Sequence, residues 1–110
     1  MNKVVFYPEV RQYYKSLIPI LYEKGYFLYE ENAQKYVKEL IADIIKTLPI
    51  RNHRPAPKHF ERYGKEMFYA SFRKSKHTTW YAFFTKYEDN GEIIYLIRYI
   101  SNNHVVAQYL

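Results

Sequence analysis

A chain of 110 residues is long enough for one domain with one core, spanning 1–110, and its 48% hydrophobic fraction argues against disorder. It carries 17 Lys+Arg against 11 Asp+Glu, a formal net charge of +6, which favours a polyanionic partner or a strongly acidic protein and would also serve solubility alone. The absence of cysteine excludes disulfides, thiolate metal sites and a cysteine nucleophile.

Residues 3–7 are β-branched and aromatic and predict a short strand. Pro8 and Glu9 then open a helix, because proline fits a first turn and an acid complements the dipole. Val10, Tyr13, Tyr14, Leu17, Ile18, Leu21 and Tyr22 recur at helical spacing. Pro19 lies off that stripe and predicts a kink on the solvent side, and Gly25 suits the C-terminal cap. Glu30, Glu31 and Asn32 open a second helix with the stripe Ala33, Tyr36, Val37, Leu40, Ile41, Ile44, Ile45 and Leu48. Gln34, Lys35, Lys38, Asp43 and Lys46 occupy its opposite face, and Pro49 ends it. Two such helices form a hairpin whose apolar faces need a sheet to cover.

Residues 50–60 read as a loop with Pro55 and Pro57 and with Arg51, His53, Arg54, Lys58 and His59. This densest positive segment fits phosphate contact and fits a solvated connection equally well. A meander follows. In 65–73, Phe68, Ala70 and Phe72 share one face, while Lys65, Met67, Tyr69, Ser71 and Arg73 share the other. Lys74-Ser75-Lys76 turns the chain. In 77–87, Trp80, Ala82 and Phe84 form one face and Tyr81, Phe83 and Thr85 the other. Asp89-Asn90-Gly91 contains Asn-Gly, a strong hairpin signal. Residues 92–100 are apolar on both faces apart from the opening Glu92 and Arg98, as a central strand requires. The expected architecture is α+β: a helical hairpin packed on one face of a mostly antiparallel four-stranded sheet. Phe68, Phe72, Trp80 and Phe84 lie beneath the helices, and the other face presents basic and aromatic side chains, Tyr69 and Arg73 among them.

The chain offers few routes to chemistry. His53, His59, His77 and His104 are far apart in sequence and have no acidic cluster beside them, so no metal site is predicted. Gly25, Gly64 and Gly91 are isolated, so there is no glycine-rich phosphate loop. No cofactor is implied. The segment beginning at Asn2 lacks the apolar core of a signal peptide and no apolar run would span a bilayer, which makes the cytoplasm the expected location. Basic residues, tyrosines and histidines remain, acting on a phosphodiester or binding without catalysis.

The succession of elements resembles the RelE/ParE superfamily of bacterial toxins over nearly the whole chain. The resemblance begins at the opening strand and proline, Val4-Val5-Phe6-Tyr7-Pro8-Glu9. It continues through Glu31-Asn32-Ala33-Gln34-Lys35-Tyr36-Val37-Lys38-Glu39-Leu40 into Leu48-Pro49. It ends in the meander and Ile93-Ile94-Tyr95-Leu96-Ile97-Arg98-Tyr99-Ile100 before a histidine. It implies a toxin of a type II toxin-antitoxin system, held inactive by a cognate acidic antitoxin protein. Such toxins cleave mRNA on the ribosome without a metal, or block a topoisomerase. Under the cleavage reading, His104 does acid–base work, Arg98 and Arg73 hold phosphate, and Tyr109 stacks or transfers a proton. Lys65, Lys76, Lys74, Arg51, Arg54, Lys58 and Tyr69 add nucleic-acid contacts. Two features differ from active relatives: Trp80-Tyr81 stands where an aromatic–arginine pair is usual, and His104 lies further past the final strand, after Asn102-Asn103. Plainer roles stand beside these: a hydrogen-bonded turn for His104, a pair with Glu66 or Glu92 for Arg98, and tail docking for Tyr109. A toxin-like protein that only binds, and a small RNA-binding accessory protein, are the alternative functions.

Overall fold

The computed structural model describes residues 2–110. Strand β1 (Asn2–Phe6) leads into α1 (Pro8–Glu23) and α2 (Glu30–Thr47), and the chain then crosses to β2 (Arg54–Pro55). The meander β3 (Phe68–Arg73), β4 (Thr79–Asp89) and β5 (Glu92–Asn102) follows, and the short helix α3 (Asn103–Val106) comes after it. The sheet has five strands in the order β1-β5-β4-β3-β2. The α+β class and the helical hairpin stand as expected; the strand count and the sheet type do not. β1 pairs with β5 in parallel, so the sheet is mixed, and the two-residue β2 adds a strand within what reads as a loop.

The helices form because their apolar positions recur at helical spacing, and that face meets the sheet. Val10 and Leu17 from α1 join Val37, Leu40 and Ile44 from α2 over Phe72, Trp80, Phe84 and Ile97 in one buried cluster. Pro19 lies inside α1 on its exposed side, and Ile45, part of the sequence stripe, is 50% exposed. Between β4 and β5, Asn90 (φ 51°) and Gly91 (φ 79°) both adopt left-handed backbone, the geometry that a tight hairpin with native twist demands.

Two departures shape the surface. Phe83 pairs with Tyr99 and Phe84 with Ile97, which leaves Arg98 unpaired as a bulge. The bulge lets Ile97 and Ile100 both join the helix-side core and turns Arg98 out of the ladder to a half-buried position. The second departure corrects the expected open face. On the side away from the helices, Phe60, Met67, Phe83 and Val106 form their own buried cluster. A 3-10 turn over Lys58–Arg62 brings Phe60 onto Phe83, with ring centroids 4.3 Å apart, and α3 brings Val106. Met67 and Phe83 are therefore core, because a face lined by large aromatics is stabilised by burial and these two segments cover it. Among the described residues, no helix is long and apolar enough to cross a membrane.

Candidate functional site

Two clefts hold the residues able to do chemistry. The first, about 440 Å³, lies where β1 passes into α1, beside β5 and the residues that end the 3-10 turn. Arg98 is one of its lining residues. The Nε–H donates to the Tyr63 carbonyl at 2.9 Å, and Cζ lies 5.0 Å from the Tyr7 ring centroid, within cation–π range. Gly64 makes this placement available: a Cβ there would sit 2.8 Å from Arg98 Nε and 2.9 Å from Cδ. Tyr63 and Tyr99 stack face to face, their centroids 4.0 Å apart and their planes 5° apart. Glu9, Val10, Tyr13, Arg62 and Ile100 complete the lining. Burial, and then the neighbouring Tyr99, raise the Tyr13 hydroxyl above the ordinary tyrosine pKa. Burial and Tyr99 likewise raise Tyr63, while Arg62 acts weakly in the opposite direction.

The second cleft, about 390 Å³, runs between α1, the start of α2 and the β3–β4 turn, and His104 lies on its edge. Asn102 caps α3 by accepting from the His104 backbone N–H at 3.0 Å. The exposed His104 ring has Nε2 3.5 Å from Thr78 Oγ1. Asn103 ties this corner together: Oδ1 accepts from the Thr79 N–H at 3.0 Å, and Nδ2 donates to the His77 carbonyl at 3.1 Å. At the cleft floor, Trp80 Nε1–H donates to the Tyr36 hydroxyl at 2.9 Å. Tyr36→Phe would leave that buried donor unpaired. A loss of about 1–3 kcal/mol is expected, measured by urea denaturation against wild type.

The sequence-predicted residues are dispersed over these features. Arg98 lines the first cleft and His104 the second, and Tyr13 lines both. Arg98 makes no ion pair with Glu66 or Glu92; its partner is the Tyr63 carbonyl. Arg73 is exposed, with Nε donating to the Ser75 carbonyl at 3.2 Å. Tyr109 stacks on His59 with centroids 3.5 Å apart, so its ring docks the tail. Arg51 has a structural occupation. It pairs with Asp43 at 3.2 Å, donates to Thr47 and to the Ser71 carbonyl, and lies over Phe72. Lys74 lies over Tyr36, with Nζ 5.6 Å from the ring centroid. Tyr69 is half-buried beside Tyr81 and Phe83. Arg54, Lys58, Lys65 and Lys76 are exposed and appear in none of the ion pairs among the described residues.

Sequence reasoning missed Glu9, Tyr13, Arg62, Tyr63 and Gly64 as companions of Arg98. The signal was present in Arg62-Tyr63-Gly64, a cation, an aromatic and a glycine in succession, but nothing local aims it at β5. Among the described residues no group of three or more His, Asp or Glu side chains could hold a metal ion. No family model, no curated protein and no solved structure matches the chain.

Proposed function

We propose that the chain is a RelE/ParE-type, toxin-like protein that acts in the cytoplasm by binding an anionic partner, and that an acidic antitoxin neutralises it. The succession of strand, helical hairpin and meander supports the family reading, together with the net charge of +6. One observation carries the choice of binding over cutting: Arg98 and His104 line different clefts. Metal-free cleavage of RNA needs a base, a cation and an acid around one phosphate. The cationic cleft instead combines Arg98 and Arg62 with tyrosine rings and has no histidine in its lining, which suits recognition.

Ribosome-dependent mRNA cleavage is the second reading. The observation in its favour is that the exposed His104 and Arg73 both border the turn that joins β3 to β4. Induced expression in bacterial cells tests the choice. Wild type is expected to arrest growth, Arg98→Gln to relieve the arrest, and His104→Ala to retain it. Relief by His104→Ala in a folded protein would transfer the function to cleavage, and a wild type that never arrests growth would remove the toxin reading.

A further inference from the structure

We infer that the Arg98 cleft is a seat for one nucleotide unit, with the phosphate on the Arg98 guanidinium and the base against tyrosine rings. Arg98 spends only Nε on the protein; its two terminal nitrogens make no hydrogen bond and no ion pair among the described residues. A half-buried guanidinium with its fork unspent is a built acceptor for an oxyanion, and phosphate geometry fits two parallel N–H donors. Its orientation is set in advance by the Tyr63 carbonyl, by the Tyr7 ring and by the missing Cβ of Gly64. Arg62 adds a second positive charge, and the first turn of α1 at the cleft mouth contributes the positive end of a helix dipole.

The rest of the lining asks for more than an inorganic anion. Tyr7, Tyr13, Tyr63 and Tyr99 surround the space, and Val10 and Ile100 close it with apolar surface. Tyr63 and Tyr99 already stack on each other, and a base of any sequence would extend that stack. Glu9 is the one carboxylate in the lining; it repels a phosphate from its own end of the cleft and accepts from base N–H groups there. A volume of about 440 Å³ lies in the range of small-ligand sites.

This inference deepens the binding reading above and rests on it only in taking a nucleic acid as the anionic partner. The test is titration of the full chain with adenosine monophosphate, inorganic phosphate and adenosine, followed by calorimetry and by proton and nitrogen NMR. The monophosphate is expected to bind saturably, with shifts centred on Tyr7, Tyr13, Tyr63 and Tyr99. Phosphate alone and adenosine alone should each bind at least about tenfold more weakly, since each forgoes stacking or the charged contact. Arg98→Gln should lose about tenfold or more in affinity, whereas Lys38→Gln, which removes the same charge from an exposed site on α2, should bind as wild type. Equal affinity for phosphate and monophosphate, no saturable binding, or an unaffected Arg98→Gln would overturn the proposal. Should Arg98→Gln fail to fold, the wild-type shift map decides, and shifts centred on Tyr26 and Val105 would overturn it. The titration needs no cells: growth arrest without nucleotide binding refutes this inference alone, and nucleotide binding without arrest refutes only the toxin reading.

Discussion

Ile44→Ala is expected to destabilise the fold by about 2–5 kcal/mol. Ile44 is 0% exposed and belongs to the cluster that joins both helices to the sheet. Truncation removes buried methyl groups and leaves a cavity that α2, tied on either side through Leu40 and Leu48, has little room to close. Ile45 is the internal contrast. It belongs to the same apolar stripe in sequence but is 50% exposed, so Ile45→Ala should change stability by roughly 0.5 kcal/mol. Urea denaturation of both variants checks this, with a lower midpoint and an unchanged slope for Ile44→Ala. Equal costs for the two would mean that α2 does not present the face described.

Phe60→Ala is expected to cost about 3–5 kcal/mol, although Phe60 lies in a connection rather than in a long element. Its ring is 1% exposed, stacks on Phe83 and meets the His59 and Tyr109 rings at edge-on angles. Loss of the ring opens the second core from above and removes the support beneath the stack of His59 and Tyr109. Limited proteolysis should therefore release the C-terminal residues faster in Phe60→Ala than in wild type. A cost within about 0.5 kcal/mol is what a solvated loop would give, and it would restore the open face expected from sequence.

That open face marks where the sequence stopped being readable. The helices were legible because Val37, Leu40, Ile44 and Leu48 repeat over several turns, and the β4–β5 hairpin because Asn90-Gly91 suits left-handed backbone. β5 was legible as central because it is apolar on both faces, and it does lie between β1 and β4. The second core was not. Tyr69, Tyr81 and Phe83 suit a binding face as well as a covered one, and the covering segments, Lys58–Arg62 and Asn103–Val106, are too short to show a period. The parallel β1–β5 pairing escaped as well, because strand composition carries no direction. β2 escaped because two residues, one of them a proline, give no alternation.

The candidate site was legible in one residue. Arg98 is the sole charge between Ile93 and Ile100, and a charge in a central strand needs a reason. Its companions come from the start of α1 and from the residues around Arg62, so their convergence depends on tertiary packing. His104 was singled out by the resemblance, as the histidine that follows the final strand. Its separation from Arg98 follows from the chain turning through Asn102 into α3, which carries His104 toward the β3–β4 turn.

The claim that this protein binds rather than cuts is tested most directly by mapping RNA ends. Purified protein is incubated with ribosomes translating a defined mRNA, and new 5′ ends are read by primer extension. The message is expected to remain uncut at protein concentrations that saturate binding. New 5′ ends within ribosome-bound codons, present with wild type and absent with His104→Ala, would contradict the account.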